Sequence, residues 1–276
     1  MEKMKFSVSV CVYGGDNAEH FACAVNSILD QTVTPDEVIL VVDGPVSEEI
    51  DRVIRSYEEN ESFAVIRFAE NQGHGNARRA GIAACRNELV AIMDADDISA
   101  PDRFEKQLAV FASDEDIDIV GGNITEFVGL PENVVARREV PVRDAEIKEY
   151  MKTRCPFNQV TVMFRKSMYE KVGGYIEWYC EEDYYLWIRM MQSGAVFANI
   201  DKELVNVRVG EDMYRRRGGV KYFKSEARLQ KYMLDHKIIG FGTYFMNVSK
   251  RIIVQVLMPN RLRGWVFKKF ARKSVN

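Results

Sequence analysis

Cysteine and histidine are scarce in this chain, and neither forms a recognisable pattern. The cysteines are an odd number without paired spacing, and several fall inside predicted core elements: Cys11, Cys23, Cys85, Cys155 and Cys180. This usage disfavours a disulfide-stabilised secreted scaffold and favours a reducing compartment. The histidines His20, His74 and His236 are scattered without metal-ligand spacing. A histidine-built metal centre is therefore not expected.

Long apolar runs are also missing. The amino terminus has no apolar signal region, and no uninterrupted apolar run approaches the ~20 residues that a spanning helix requires. We therefore expect a cytoplasmic protein, whose 276 residues allow one large α/β domain with an appendage. No Gly-x-Gly-x-x-Gly motif follows the first predicted strand, where the chain reads Tyr13-Gly14-Gly15-Asp16. That lack disfavours a dinucleotide-binding dehydrogenase.

What the chain does contain is a regular alternation of strand-like and helix-like segments in its first 97 residues. Apolar runs at 6–13, 38–42, 63–68 and 89–93 predict strands, and helical spacing at 21–29, 50–57 and 75–85 predicts helices. This alternation indicates a parallel sheet covered on both faces, which binds ligands at the carboxyl ends of its strands. Asp43 and Asp94 directly follow two of these strands, so we expect them to face one cleft.

The most informative motif is Asp94-Ala95-Asp96-Asp97, which ends a predicted buried strand. Carboxylates packed at the mouth of a strand repel each other and are tolerable there mainly if a cation bridges them. Alternation along an extended segment would put Asp94 and Asp96 on one side and Ala95 on the other. Oxygen ligands suit Mg²⁺ or Mn²⁺. The alternative is a solvated Asp-rich turn that caps a helix after Pro101.

Further blocks accompany this motif along the chain. They are 8–13 (VSVCVY), 27–32 (SILDQT), 37–44 (EVILVVDG), 71–78 (NQGHGNAR), 94–97 (DADD), 161–166 (TVMFRK), 172–175 (VGGY) and 181–187 (EEDYYLW). In kind and order these blocks resemble the family 2 glycosyltransferases of the GT-A fold. The resemblance covers residues 6 to 210.

The resemblance implies an α/β protein with a Rossmann-like, mostly parallel central sheet covered by helices, followed by a basic helical extension. We expect a glycosyltransferase domain over residues 1–212, with its nucleotide-binding half at 1–97 and its acceptor half at 98–212. Residues 213–276 would form a basic amphipathic helical tail.

The resemblance also implies an activity. Members of this bacterial type transfer a sugar, with inversion and with a divalent metal, from a nucleotide-sugar such as a UDP-sugar to a saccharide acceptor. That acceptor is often lipid-linked and belongs to surface polysaccharide synthesis. Two rivals are a sugar-nucleotide-binding protein without turnover and a haloacid-dehalogenase-type phosphotransferase. The second is disfavoured because Ile98 stands where Thr or Val is expected, and because the motif does not follow the first strand.

Site residues on the donor side follow from matching positions. By resemblance, Asp96 is the better metal ligand, and Asp94 contacts the metal or the ribose. Asp97 is left as support or a helix cap, while Tyr13 and Ala95 lie in blocks assigned to donor binding. A divalent ion held by these carboxylate oxygens would neutralise, as a Lewis acid, the charge of the departing diphosphate.

Two further donor-binding residues are expected by resemblance. Asp43 would accept a hydrogen bond from the uracil ring; its alternative is a turn-forming Asp-Gly pair with Gly44. Arg78 matches the family's arginine near the nucleotide. It could instead pair with a surface acid, and Arg79 beside it leaves the choice open. His74 could contact phosphate or serve only as a turn residue.

On the acceptor side, the acidic run Glu181-Glu182-Asp183 begins a predicted helix. By resemblance, Asp183 is the base that takes the proton of the attacking hydroxyl, with Glu182 as the second catalytic candidate. The alternative is that these acids only complement the positive end of the helix. Repulsion among them should raise at least one pKa, and the helix end opposes this. Tyr175 and Trp178 are either sugar platforms or core residues.

The charge is distributed unevenly. Residues 214–276 contain 16 Lys and Arg against two acids, so they carry about +14, and residues 1–213 carry about −17, which sums to −3. Aromatic residues of the tail, Trp265, Phe267 and Phe270, lie among basic ones, as in a helix at an anionic membrane surface. The alternative is a helix packed on the domain with a solvated basic face. No nucleic-acid-binding motif is present, so nucleic acid is not expected as a partner.

Overall fold

The computed structural model describes residues 4–210 and 219–258. The strands are β1 (Phe6–Tyr13), β2 (Glu37–Asp43), β3 (Phe63–Arg67), β4 (Leu89–Asp94), β5 (Ile98–Ser99), β6 (Ile117–Phe127), β7 (Val134–Arg138), β8 (Met163–Arg165) and β9 (Val196–Arg208). They form one sheet in the order β3-β2-β1-β4-β8-β6-β9-β5, with β7 paired to β6.

Helices cover this sheet and extend beyond it. They are α1 (Ala18–Leu29), α2 (Glu48–Glu58), α3 (His74–Ala84), α4 (Arg103–Ser113), α5 (Asp144–Met151), α6 (Lys166–Lys171), α7 (Glu182–Gln192), α8 (Val220–Asp235) and α9 (Phe241–Arg251). A 3₁₀ turn spans Gln159–Thr161, and a π-helical turn, Ile252–Leu257, continues α9. No helix within residues 4–210 and 219–258 is both long and apolar enough to cross a membrane.

The sheet is buried on both faces, which explains the continuous apolar runs of its strands. In β2 the side chains of Val38, Leu40 and Val42 belong to one core cluster, and those of Ile39 and Val41 belong to the cluster on the opposite face. This alternation follows from the period of two of an extended chain. The two clusters pack the helices against the two faces of the sheet.

The first half of the sheet is parallel and the second half is mixed. Strand β1 pairs in parallel with β2 and β4, and β2 pairs in parallel with β3. The short β8 is antiparallel to both β4 and β6, whereas β9 runs parallel to β6. Tyr13 lies opposite Asp43, and Cys11 lies opposite Asp94. The carboxyl ends of β1, β2 and β4 therefore meet at one edge, as predicted.

The elements predicted for the first 97 residues are all present, with bounds within three residues of those expected. Local capping helps to set the bounds of the helices. The side chain of Asn17 accepts hydrogen bonds from the backbone N–H groups of Glu19 and His20 at the start of α1. Ser47 caps α2 through the N–H of Ile50.

Helix α3 approaches the sheet closely because Gly81 has no side chain. A Cβ atom built there would lie 2.4 Å from Ser9 Oγ on β1 and 3.1 Å from Val41 Cγ2 on β2. Arg78 lies on the same buried side of α3 as Ala77 and Ile82. The close packing of α3 therefore places the Arg78 guanidinium near the edge where β1, β2 and β4 end.

The described part of the tail packs against the preceding domain. Leu229, Met233 and Ile239 are buried in the core cluster that also contains Trp187 of α7. Arg251 forms an ion pair with Glu226, with 3.1 Å between Nε and Oε1, and donates to the carbonyl of Thr153 at 3.0 Å. Residues 219–258 are therefore packed on the domain, which is the alternative that the sequence analysis gave for the tail. Trp265, Phe267 and Phe270 lie outside the described residues.

We predict that Arg251→Met lowers the free energy of unfolding by about 3 kcal/mol, because it leaves the mostly buried Glu226 charged and unpaired. The control is Arg143→Met. Arg143 pairs with Glu146 at the exposed surface, where an ion pair contributes about 1 kcal/mol or less. Urea unfolding of both variants measures the difference. Equal losses would show that the Arg251 pair does not secure the tail.

Candidate active site

The acidic motif occupies the end of β4 and the turn that follows. Asp94 is half-buried, Ala95 and Asp97 are buried, and Asp96 is exposed. This is the alternation that the sequence predicts, with Asp94 and Asp96 toward the cleft. The side chain of Ala95 packs in the core, so any contact of Ala95 with a donor would come from its backbone.

Buried side chains form hydrogen bonds that hold the turn after the motif in place. Arg103, which is fully buried, donates to the carbonyl of Ile92 at 2.8 Å and to Ser99 Oγ at 3.0 Å. Gln31, from the SILDQT block, donates to the carbonyl of Ala100 and accepts from the N–H of Phe104. These contacts hold the backbone on both sides of the motif, so the carboxylates project from a fixed turn.

Asp97 supports this turn and does not cap a helix. Its carboxylate accepts the backbone N–H of Arg208 on β9 at 2.8 Å, while the Arg208 side chain donates to the carbonyl of Asp96. The N-cap residue of the following helix α4 is Asp102. Burial, with added repulsion from Asp94 and Asp96, raises the pKa of Asp97 well above its usual value.

Arg78 connects the donor-side and acceptor-side acids. Its guanidinium donates to Asp94 Oδ1 at 2.7 Å and to Asp183 Oδ1 at 3.2 Å, and its side chain is only 4% exposed. The alternative of pairing with a surface acid is therefore not the arrangement found. Arg79, in contrast, lies on the exposed side of α3. One buried cation thus joins two carboxylates that are far apart in the sequence.

The two carboxylates that share Arg78 have pKa values shifted in opposite directions. Burial alone would raise the pKa of Asp94, but Arg78 and His74 outweigh it and hold that pKa below its usual value. For Asp183, burial dominates over Arg78, and Glu182 and Asp94 add repulsion, so its pKa is raised to about 7. Burial also raises the pKa of Glu181. Burial and repulsion, which raise the pKa values of Glu181 and Asp183, therefore outweigh the opposing effect of the helix end.

Asp43 ends β2 and organises the turn at residues 71–73. Its two carboxylate oxygens accept the backbone N–H groups of Gln72 at 2.7 Å and Gly73 at 3.0 Å. Gly44 has a φ of +86°, and a Cβ atom there would lie 2.6 Å from the backbone nitrogen of Asn71. The turn-forming interpretation of Asp43-Gly44 therefore holds. A contact of Asp43 with uracil stays a prediction.

Sequence reasoning missed Asp16. It follows β1, and its carboxylate accepts the backbone N–H of Tyr13 at 2.9 Å. Burial raises its pKa to about 6, with further contributions from the charges of Asp96 and Asp94. Asp16 thus adds a fourth acid to the three of the motif. Its position after the first strand is the sequence signal for this residue.

A cavity of about 420 Å³ opens between the start of α3 and residues 175–182. His74, Tyr175, Trp178 and Glu182 are among its lining residues. Tyr175 and Trp178 are also largely buried, so most of their side-chain surface packs in the core. The preceding Gly173 and Gly174 both have positive φ angles, which glycine adopts without strain. The cavity borders both the start of α3 and Glu182 of α7.

The sequence matches Glycosyl transferase family 2 over residues 7–173. The chain belongs to this family. It is 35% identical, over 98% of its length and 97% of the relative's, to an Escherichia coli protein named UDP-Gal:alpha-D-GlcNAc-diphosphoundecaprenol beta-1,3-galactosyltransferase. It is 34% identical to the amylovoran biosynthesis glycosyltransferase AmsE of Erwinia amylovora, over 96% of this chain and 98% of that protein. The expectation of a glycosyltransferase is therefore confirmed, which excludes the phosphotransferase rival.

The structure of this glycosyltransferase resembles solved members of the same fold. Staphylococcus aureus TarS residues 1–349, in complex with UDP-GlcNAc, superposes with a TM-score of 0.67 over 95% of this chain and 79% of that one. The two sequences are 17% identical, so the likeness concerns the fold alone. The predicted GT-A fold is confirmed.

For this glycosyltransferase, Asp43→Ala should lower the free energy of unfolding by about 2 kcal/mol, because two backbone N–H groups lose a charged acceptor. Asp114→Ala is the control, since Asp114 accepts one N–H in an exposed turn. If Asp43 also binds the base, UDP will raise the melting temperature of the wild type and the control but not of Asp43→Ala. An unchanged UDP-induced shift in Asp43→Ala would refute a donor role.

Proposed function

We propose that this family 2 glycosyltransferase transfers a sugar, with inversion, from a UDP-sugar to a hydroxyl of a lipid-linked saccharide in the synthesis of a bacterial surface polysaccharide. The carrying observation is that Arg78 joins Asp94 of the donor-side motif to Asp183 of the acceptor-side helix. The group that would hold the donor and the group that would activate the acceptor therefore share one cleft.

The residues fit a divalent cation, Mn²⁺ or Mg²⁺. Asp96 is exposed and Asp94 is partly accessible, so both can offer oxygen ligands toward the cleft, with Asp16 nearby. Within the described ranges, no cluster of three or more acids, cysteines or histidines is arranged to hold a metal by itself. That agrees with an ion held by one or two carboxylates and by the phosphates of a substrate. When bound, such an ion supplies Lewis-acid stabilisation of the leaving diphosphate.

Asp183 suits the role of base. A pKa of about 7 leaves a substantial fraction of the carboxyl ionised at neutral pH and makes it more basic than an ordinary Asp. Arg78 donates to one carboxylate oxygen, and the Tyr175 hydroxyl is a further hydrogen-bond donor to this carboxylate. An acceptor hydroxyl would join these two donors at Asp183. In an inverting transfer, the proton of that hydroxyl passes to Asp183 as its oxygen attacks the anomeric carbon. Glu182, in the same helical turn, is the second candidate for this role.

The substrates are inferred from relatives and from the donor-side residues. The E. coli relative is named for a UDP-galactose donor and a diphosphoundecaprenol-linked acceptor, and the Erwinia relative for amylovoran synthesis. Tyr13 and Asp43 pair across the edge of β1 and β2, where a nucleotide would lie beside the backbone of Ala95. A lipid-linked acceptor also agrees with a protein held at the cytoplasmic face of the membrane by its basic tail.

The metal assignment predicts that Asp96→Ala lowers turnover by about a hundredfold or more, because a ligand of the ion is lost and the leaving diphosphate is poorly neutralised. Asp116→Ala replaces an exposed acid outside the cleft and should leave turnover unchanged. Transfer from a labelled UDP-sugar is measured with Mn²⁺ and with excess chelator. Full activity in chelator would contradict metal dependence.

The base assignment predicts that Asp183→Asn lowers turnover by about a hundredfold or more while UDP affinity changes little. In the wild type, kcat/KM should fall as the pH drops through about 7, because the protonated carboxyl cannot accept the proton. Glu182→Gln is the matched comparison in the same turn. If Glu182→Gln abolishes transfer and Asp183→Asn does not, Glu182 is the base.

A further inference from the structure

Helix α9 and the turn after it have their polarity reversed relative to an ordinary surface helix. A surface helix normally buries an apolar stripe and exposes its polar side. Here Asn247 and Gln255 are buried against the domain, and Arg251 is largely buried beside them. The exposed large apolar residues of this segment are Phe241, Phe245, Met246, Ile252, Ile253 and Leu257. We call these six residues the α9 face.

The buried polar contacts fix the orientation of the helix. Asn247 Nδ2 donates to the carbonyl of Lys152 at 3.0 Å and to Gln230 Oε1 at 2.8 Å. Arg251 pairs with Glu226, to which Gln255 also donates. Rotating α9 to bury its apolar residues would break these bonds and leave buried polar groups unsatisfied. The α9 face is therefore held outward by the structure.

The degree of exposure is large for such side chains. Phe241 is 71% exposed, Phe245 is 64% exposed and Leu257 is 70% exposed. Scattered apolar residues on a surface need no explanation, but a contiguous apolar face marks a surface that meets a partner or a membrane. The α9 face therefore requires an occupant.

The charge of the sequence that contains the α9 face indicates the occupant. Residues 237–276 contain nine Lys and Arg and no Asp or Glu. A second copy of this chain docked symmetrically would bring two such segments together, which repulsion opposes. An anionic lipid surface offers both acyl chains for apolar residues and headgroups for cations. We propose that the α9 face inserts into the interfacial layer of an anionic membrane.

Helices α8 and α9 also support the wall of the 420 Å³ cavity that Trp178 and Tyr179 line. Trp178 Nε1 donates to the carbonyl of Ser225 on α8, and Ser225 Oγ donates to the carbonyl of Tyr179 at 2.6 Å. The Glu226–Arg251 ion pair then joins α8 to α9. Insertion of the α9 face would therefore determine the orientation of the cavity relative to the membrane. This consequence rests on the proposed lipid-linked acceptor, whereas lipid insertion itself does not.

The test is vesicle co-sedimentation of the full chain with phosphatidylglycerol-containing and with purely phosphatidylcholine vesicles. The variant is Phe241→Glu/Phe245→Glu, and the control is Leu130→Glu, which charges an equally exposed apolar residue in the β6–β7 loop. We expect wild type and control to bind anionic vesicles and the variant to bind at least about tenfold more weakly. At about 0.5 M NaCl, where charge attraction is screened, wild type should still bind better than the variant.

Further measurements separate this proposal from the proposed function. Melting temperatures and UDP-induced shifts should match among the wild type, the control and the double variant, and Ile253→Ser provides a milder second variant if the double variant is unstable. Transfer to a soluble acceptor should persist in the double variant, while transfer to a vesicle-borne acceptor falls. If none of these proteins transfers sugar but sedimentation differs as expected, the proposed function fails and membrane insertion stands.

Three results would overturn the inference. The first is equal sedimentation of the wild type and the double variant. The second is a wild type that does not bind anionic vesicles, as expected if residues 259–276 cover the face. The third is a dimer, seen by light scattering, that the double variant dissociates while vesicle binding is unchanged, because the occupant would then be a second copy.

Discussion

The ion group formed by Arg78, Asp94 and Asp183 is the interaction on which the cleft depends. Two half-buried carboxylates, one at the end of β4 and one in the first turn of α7, meet the same buried guanidinium. Arg78 and Asp183 are 105 residues apart in the sequence. A buried arginine without acids, or these acids without the arginine, would carry an uncompensated charge at a cost of several kcal/mol, on the order expected for a broken buried ion pair. The two halves of the domain are therefore coupled electrostatically as well as through the sheet.

This sharing also separates the chemistry of the two acids. Asp94, at the shorter distance from the guanidinium, has a lowered pKa, and Asp183, at the longer distance and beside Glu182, has a raised one. Environments that push the pKa values of paired acids apart give them different roles. An ionised Asp94 suits a cation or a ribose, and an Asp183 that titrates near neutrality suits proton transfer. The geometry thus supplies a physical basis for roles that the motifs alone only suggest.

The sequence predicts the first 97 residues well because each element there is specified locally. Strands such as β2 are continuous apolar runs, α1 and α2 begin at capping side chains, and β1, β2 and β3 pair in the order of the chain. The second half is different. Strand β9 pairs with β6 across about 80 residues with several register shifts, and β8 has three residues. Such long-range pairings are decided by tertiary packing, which local periodicity does not encode.

For the site, motif positions were predictable but partners were not. The sequence located Asp94, Arg78 and Asp183 separately, but their contact depends on tertiary packing, including the close approach of α3 to the sheet at Gly81. Asp43 has a role in holding the 71–73 turn whether or not it also meets a base. Asp16 follows β1, which is a sequence signal, but its effect on the site comes from its proximity to Asp94 and Asp96, which only the fold reveals.

The tail shows why packing on the domain and binding to a membrane are not exclusive. By charge alone, residues 213–276 are one basic segment. In the described part, however, two helices bury residues of different polarity against the domain. Helix α8 buries Leu229 and Met233 in the domain core, and α9 buries hydrogen-bonded polar groups while it presents phenylalanines outward. Polar groups are costly to bury unless every bond is made, so this arrangement is stable only because Lys152, Gln230 and Glu226 supply the partners. The polar complementarity of the domain thus orients α9 so that its apolar side faces outward.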